Sequence, residues 1–381
     1  MNLFSSPNFK LGILGGGQLG KMLLDVARKW DIHTCVLDAN PQAPSAGICN
    51  EFFQGDLMDF NMVYNFGKKV NLLTIEIEHV NIEALEQLEK EGVQVFPEPA
   101  ALKVIQHKGL QKDFFKKHHI PTAAYQRHAS LNDLKKELPA FPFVWKSSKF
   151  GYDGMGVSMV RNEKDLLKLP NVDCICEALV PFKKEIAVIV AQSKSKEIKT
   201  YPVVEMEFHP TANQVEYIIS PARISAEISE KATACAINVA KAFNATGLLA
   251  VEMFLTHNNQ VLVNEVAPRT HNSGHYTIEG SYTSQFEQHL RSILGLALGN
   301  TENTMPSVLV NLVGKEGHTG AVTYQGIEKS MTIAGVYVHL YGKKTTKPFR
   351  KMGHVNVINK HLEQALEIAK QVKESVQVVS K

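Results

Sequence analysis

The sequence has little cysteine, no long apolar run and almost no excess charge of either sign. Its five cysteines, at 35, 49, 174, 176 and 235, form no Cys-x-x-Cys, which argues against a disulfide framework. Cys174 and Cys176 would share one face of a strand, where core packing is the expected role. No apolar stretch approaches the roughly 20 residues of a membrane span. Met1–Phe9 lacks a charged start followed by a long apolar run, so no secretory signal is expected. With 41 basic against 38 acidic residues the formal charge is only +3, too balanced for a nucleic-acid or membrane binder. These absences leave a reduced, soluble, cytoplasmic protein. Its 381 residues, 44% of them apolar, suffice for two or three ordinary domains.

Three regions differ in pattern. Residues 1–100 alternate short apolar runs (Leu11–Leu14, His33–Leu37, Leu72–Ile77) with helical stretches, the first running through Trp30. Such alternation favours a parallel sheet with crossover helices. Phe96-Pro-Glu-Pro99 punctuates its end. A helix is expected over Ala101–His118, then strands at Phe143–Trp145 and Cys174–Ala178 around a glycine loop at 151–156. Further β-branched strands follow at Ile186–Val190, Val215–Ile219, Leu248–Leu255 and Val261–Val266. A helix near Gln285–Leu294, the segment Gly335–Tyr341 and an amphipathic helix His361–Val372 close the chain.

Gly15-Gly-Gly-Gln-Leu-Gly20 fits G-x-G-x-x-G, follows a strand and opens a helix, and Asp38 ends the next strand. Glycines let backbone N–H groups approach an anion at the positive end of a helix. A dinucleotide enzyme is one reading; a tight turn with no ligand is the other. The motif does not choose between them.

A more informative feature is the pair of strands flanking His257-Asn-Asn-Gln260, since asparagine tolerates the left-handed conformation of a tight hairpin. A two-residue turn at Asn258–Asn259 places Glu252 directly opposite Glu265. Cross-strand Cβ atoms lie roughly 4.5–5.5 Å apart, and like charges there are destabilising. Either a hard cation such as magnesium bridges the carboxylates, or one acid is protonated, or the register differs and both are solvated. Asn264 and Asn272 stand ready to add ligands.

Four motifs then converge in order along nearly the whole chain. They are Gly15-Gly-Gly-Gln-Leu-Gly-Lys-Met22, Gly151-Tyr-Asp-Gly-Met-Gly156, Asn264-Glu-Val-Ala-Pro-Arg-Thr-His-Asn-Ser-Gly-His275 and Arg350-Lys-Met-Gly-His354. Together they resemble the 5-(carboxyamino)imidazole ribonucleotide synthase family of purine synthesis. The resemblance implies mixed α/β and α+β architecture. An ATP-grasp fold over 101–300, with a mobile lobe at about 120–182, follows a Rossmann-like domain over 1–100 that lacks a dinucleotide; a small C-terminal domain spans 301–381.

On the nucleotide side, the resemblance implies contacts to ATP from Lys108, Lys146, Glu185, Asn264, Glu265 and His209. It adds the loop Gly151, Tyr152, Asp153, Gly154, Met155 and Gly156, and the hinge Glu177, Ala178, Leu179 and Val180. Glu252 and Glu265 match the family's magnesium ligands, manganese being the alternative ion. For the aminoimidazole ribonucleotide it implies Gly17, Gln18, Leu19 and Glu76, with Lys343, Arg350 and Lys351 holding a 5′-phosphate; a solvated basic loop is the plainer reading of those three. Tyr152 and Asp153 match the pair that contacts and orients the substrate amine. Arg269, His271 and Asn272 would meet bicarbonate or the transferred phosphoryl group, with Arg223 a weaker candidate.

Two departures from the family pattern stand out: Met155 replaces a usual Lys or Arg, for which Lys149 is the nearest substitute, and His79 replaces a usual Asn after Glu78. The implied activity is ATP-dependent carboxylation by bicarbonate in a homodimer. The rivals are another ATP-grasp carboxylase or formate-using ligase, an ATP-binding regulatory protein without turnover, and a dehydrogenase.

Overall fold

The computed structural model describes residues 6–149, 156–210, 212 and 214–381. Residues before 97 build a five-stranded parallel sheet ordered Glu51–Gln54, His33–Asp38, Lys10–Leu14, Leu72–Ile75, Gln94–Phe96. The strand order reverses at Lys10–Leu14, and the crevice beyond the carboxyl ends of strands at such a reversal is where open α/β sheets bind ligands. Glu51–Gln54 was not legible as a strand because its short run is only half-buried at the sheet edge.

The expected helix over Ala101–His118 is two helices, Pro99–Ile105 and Lys108–Lys117. His107 is extended and accepts the Leu110 N–H at its ring Nδ1. Gln106 reaches back to the carbonyls of Glu78 and Val80. The apolar period runs on through the break, which is why the pattern hid it. Its consequence is that Lys108 opens the second helix, with its N–H on the Ser148 carbonyl.

Tyr125–His128, Cys174–Ala178, Phe143–Ser147 and Val157–Val160 pair antiparallel as a separate small sheet. Cys174 and Cys176 are buried there, and all five cysteines are free thiols.

The largest sheet runs Val261–Ala267, Gly247–Thr256, Phe182–Gln192, Val204–Phe208, Val215–Ser220, Ser307–Val313, Lys351–Ile358, Val336–Leu340, with Ile198–Thr200 at the side. It crosses residue 300 without interruption, because Val215–Ser220 pairs directly with Ser307–Val313. Alternation along Phe182–Gln192 splits its two faces. Ile186, Val188 and Val190 pack against Ile228, Ala232, Ala236 and Val239 of the helix Ala226–Phe243. That helix is capped by Ser225 and stopped by Asn244 in the left-handed conformation, at φ 51°. Ala187, Ile189 and Ala191 face the other way.

The helix Gln285–Leu294 locks the N-terminal sheet to this body. Phe286, Leu290 and Ile293 share one core with Leu11, Ile13 and Leu23, and the buried His289 Nε2 meets Thr74 Oγ1 at 2.9 Å. Among the described residues no helix is long and apolar enough to cross a membrane. Leu290 is 0% exposed at this junction. Leu290→Ala should therefore cost about 2–5 kcal/mol of unfolding free energy in urea titrations, and a loss below about 1 kcal/mol would refute this packing.

Candidate active site

The carboxylate pair forms, but by a different route from the one expected. The turn has three residues, not two: Thr256 N–H meets the Gln260 carbonyl, and Asn259 adopts the left-handed conformation at φ 60°. From there Leu255 pairs with Val261 and Met253 with Val263. Continued unbroken, that register would set Glu252 against Asn264. A bulge at Asn264 inserts one extra residue, so Glu252 faces Glu265 and Val251 faces Val266. Bulges commonly re-aim a side chain beside an active site, and this one places the Asn264 amide within 2.9 Å of the Lys146 Nζ.

Each acid has a different environment. Lys108 Nζ lies 2.6 Å from Glu265 Oε2, and its charge holds the Glu265 carboxyl down at about 2. Burial, then the Glu265 charge, pushes Glu252 up to about 8. Glu265 is 41% exposed at the cleft floor, so water screens part of the Lys108 field, and the pair positions more than it stabilises. His271 Nε2 stands 3.3 Å from Glu252 Oε1. Its Nδ1 accepts the Ser273 N–H, which leaves the proton on Nε2, directed at the carboxylate. Glu185 belongs to the same face, two residues along its strand from Ala187, the partner of Glu252; burial lifts it to about 7. Three acids thus crowd one side of the sheet. A divalent cation at Glu252 and Glu265 fits them, because it would offset the burial and the carboxylate repulsion that push Glu252 up.

Above this floor lies a layer of lysines. Lys146, on Phe143–Ser147, sits 3.0 Å from Glu177 Oε2 on the neighbouring strand. Lys112, one turn beyond Lys108, sits 3.2 Å from Glu177 Oε1. Burial works to raise Glu177, yet the two ammonium groups hold it below the ordinary glutamate value. Ala178 and Leu179 follow as exposed residues, then Val180, linking the small sheet to Phe182–Gln192. Gly151, Tyr152, Asp153, Gly154 and Met155 lie outside the described residues. Just beyond them Gly156, at φ 77°, accepts the Ser147 N–H at its carbonyl, and Lys149 is exposed.

The glycine turn is spent on the protein's own carboxylates. Gly16 N–H donates to Asp38 Oδ2 at 2.7 Å and Gly17 N–H donates to Glu76 Oε2. A Cβ on Gly17 would fall 2.5 Å from Glu76 Oε1, so glycine is required there for the carboxylate to approach. Asp38, which stands close to where the ribose-binding acid of a dinucleotide site would fall, also takes the Asn40 N–H. The dinucleotide reading loses both its anion cradle and its acid.

Glu76 directly follows the strand Leu72–Ile75, next to the order reversal at Lys10–Leu14, and burial lifts it to about 7 against the Gly17 N–H and the Arg269 charge. Lys343, whose Nζ donates to the Lys351 carbonyl at 2.7 Å, also acts on Glu76, while Lys351 acts on Glu252. Arg269 bridges to Glu78 at 2.9 Å, so the exchange at His79 leaves that ion pair in place. Arg350 donates to the Thr345 carbonyl and hydroxyl of its own loop. His209 lies by this loop, its ring 5.9 Å from Phe349. Gln18 opens the first helix, while the Leu19 side chain is in the core.

Arg223 is not brought to the site. It is bound by Glu205 and Glu207, and Glu205 pairs with Ile186 on the face opposite Glu252. Two residues escaped the sequence reading. Lys112 was signalled only by its one-turn spacing from Lys108. Gln285, 0% exposed, accepts the His271 N–H at 2.9 Å and donates to the His271 carbonyl and His275 Nδ1, both at 2.8 Å; nothing local in the sequence marks it. Outside the cleft, donor atoms of His33, Cys35 and Glu51 lie within 4.8 Å of one another. There Lys10 already neutralises Glu51 at 2.6 Å, and burial pushes the Cys35 thiol up to about 11, so the cluster reads as an ion-pair edge.

Comparison with known proteins agrees with this geometry. A ribonucleotide synthetase preATP-grasp domain model matches residues 9–106, an ATP-grasp domain model 113–286, and a phosphoribosylaminoimidazole carboxylase C-terminal domain model 307–368. The crystal structure of N5-carboxyaminoimidazole ribonucleotide synthetase from Thermotoga maritima is 41% identical, with a TM-score of 0.90 over 98% of this chain and 100% of that one. The Aspergillus clavatus N5-carboxyaminoimidazole synthase, solved with ADP and 5-aminoimidazole ribonucleotide, is 34% identical, with a TM-score of 0.87 over 96% and 98%. The chloroplastic phosphoribosylaminoimidazole carboxylase of Vigna aconitifolia is 36% identical over 92% of this chain, which spans only 64% of that relative's length.

The raised Glu76 carboxyl sets a pH signature. Its folded value, about 7, lies above the ordinary 4.5, so stability present below the lower value is lost as pH rises through the upper one. Glu76→Gln should melt at a higher temperature than wild type at pH 8 and at the same temperature at pH 4. A gain of equal size at both pH values would contradict this assignment.

Proposed function

Because the chain belongs to the N5-carboxyaminoimidazole ribonucleotide synthase family of ATP-grasp ligases, we propose that it carboxylates 5-aminoimidazole ribonucleotide with bicarbonate, converting ATP to ADP and phosphate. The observation that carries this reading is the Glu252–Glu265 pair, with Lys108 on Glu265 and Lys146 on the adjoining Asn264. Acids on the floor and ammonium groups above suit a metal-bound triphosphate.

In this reading Glu252 and Glu265 hold magnesium, or manganese, which when bound neutralises charge on the phosphates. Lys108 and Lys146 hold the triphosphate from the other side, and the loop 151–156 covers it. Ala178 to Val180 meet the adenine and Glu185 the ribose hydroxyls. Bicarbonate oxygen attacks the γ-phosphorus and the bond to the β-phosphate oxygen breaks, giving carboxyphosphate and ADP. Catalysis of such a transfer is mostly positioning and electrostatics, which Arg269, His271 and Asn272 supply. The substrate amine then captures the carboxyl carbon, phosphate leaves, and Asp153 orients the amine with Tyr152. Glu76 and the Gly17–Leu19 turn contact the ribonucleotide; Lys343, Arg350 and Lys351 hold its phosphate. Water must be kept from carboxyphosphate, a task assigned to the loop. A cytoplasmic homodimer completes the reading, on the strength of the resemblance.

The direct test is ADP release in bicarbonate buffer with and without 5-aminoimidazole ribonucleotide. The proposal expects release to depend on the ribonucleotide; release driven by formate or biotin instead would favour a different ATP-grasp ligase. Glu265→Gln should lower ADP formation by at least about 10²-fold, the scale of losing one charge-stabilising group. Near-normal turnover would remove Glu265 from the metal site.

A further inference from the structure

Lys112 is among the most buried charged side chains of the described residues, 2% exposed, and its ammonium group is engaged inside the protein. It donates to Thr122 Oγ1 at 2.6 Å and to the Asn264 carbonyl at 3.1 Å, and it lies 3.2 Å from Glu177 Oε1 as an ion pair. At that burial it is held by the protein and not presented to a nucleotide. Its partners, however, belong to the segments that frame the phosphate site. Thr122 donates in turn to the Val263 carbonyl, Asn264 is the bulge residue that meets Lys146, and Glu177 is the residue Lys146 leans on.

We infer that Lys112 is a positioning residue that keeps Lys146 available to the nucleotide phosphates. The Glu177 carboxylate is 3% exposed and divides its oxygens between two lysines, Oε1 to Lys112 and Oε2 to Lys146. Two ammonium groups against one carboxylate leave one net positive charge, and Lys146 is the member that borders the cleft. Without Lys112 the buried carboxylate has one partner only, and an uncompensated buried charge is costly. Lys146 is then drawn onto Glu177 and away from Asn264, and the net charge offered to phosphate falls to zero. The contact to the Asn264 carbonyl has a second effect: it ties the bulge that sets Glu265 opposite Glu252 to the strand that leads into the hinge.

This inference rests on the ATP-site reading, and the test separates the two. ADP affinity is measured by calorimetry for wild type, Lys112→Met, Glu177→Gln and the double variant, with the KM for 5-aminoimidazole ribonucleotide alongside. Lys112→Met should weaken ADP binding about tenfold or more, which is about 1.4 kcal/mol, while that KM stays within about twofold. The double variant restores one net positive charge and should bind ADP within about threefold of wild type. Such non-additivity is the mark of a coupled pair. A purely structural role predicts the opposite, losses that add in the double variant, and that result overturns the inference, as does unchanged ADP affinity in Lys112→Met. Should Lys112→Met fail to fold, the double variant decides on the same threefold criterion. Wild-type protein that binds no ADP would sink the underlying reading and the inference with it.

Discussion

Two glutamates held face to face across a hairpin are the constraint around which the rest of the structure is organised. Like charges at directly opposed positions repel, and the fold keeps Glu252 against Glu265 anyway, through a bulge at Asn264 that exists in no simpler hairpin. The surrounding groups answer that repulsion separately. Lys108 takes Glu265, His271 takes Glu252, and Glu185 adds a third acid that its burial keeps partly protonated. A site arranged this way is strained toward accepting a cation. The destabilisation left in the ligand-free protein is what a metal-bound phosphate would relieve in the proposed function.

Rigid elements carry this site from three parts of the chain. The helix Gln285–Leu294 fixes the N-terminal sheet through Phe286, Leu290 and Ile293, and its first residue, Gln285, also fixes His271. One helix thereby sets both the crevice that holds Glu76 and the ring that faces Glu252. The continuous sheet from Val261–Ala267 to Val336–Leu340 brings Lys343 and Lys351 to the same cleft. By contrast, the four-stranded sheet that carries Lys146 and Glu177 is separate, bound to the floor through Lys112, Thr122 and Asn264. Polar ties of that kind open at lower cost than a shared apolar core, as the proposed entry and release of a nucleotide would require.

Much of this was legible in the sequence where one strand or one turn carries the signal. The parallel sheet, the hairpin strands, the helix Gln285–Leu294 and the opposed pair Glu252–Glu265 all follow from local pattern. The pair, though, came from two compensating offsets: a three-residue turn where two were expected, and a bulge that no propensity announces. The break at His107 was hidden because apolar period continues through it. The glycine turn could not be decided from the sequence because the carboxylate its Gly17 N–H meets is Glu76, some sixty residues on in the chain, a partner that only tertiary structure supplies. Lys112 and Gln285 were invisible for the same reason: their partners come from other strands and loops. Arg223 was a weaker candidate for the site, whereas strand register puts its partner Glu205 on the other face.

The central claim is that Glu252 and Glu265 act jointly on one divalent ion beside the nucleotide. Manganese binding to the ADP-bound protein, followed by electron paramagnetic resonance, tests it most directly. The account predicts one tight manganese site in wild type, weakened about tenfold or more, roughly 1.4 kcal/mol, by Glu252→Gln and by Glu265→Gln alike. Manganese affinity unchanged in either variant would contradict it.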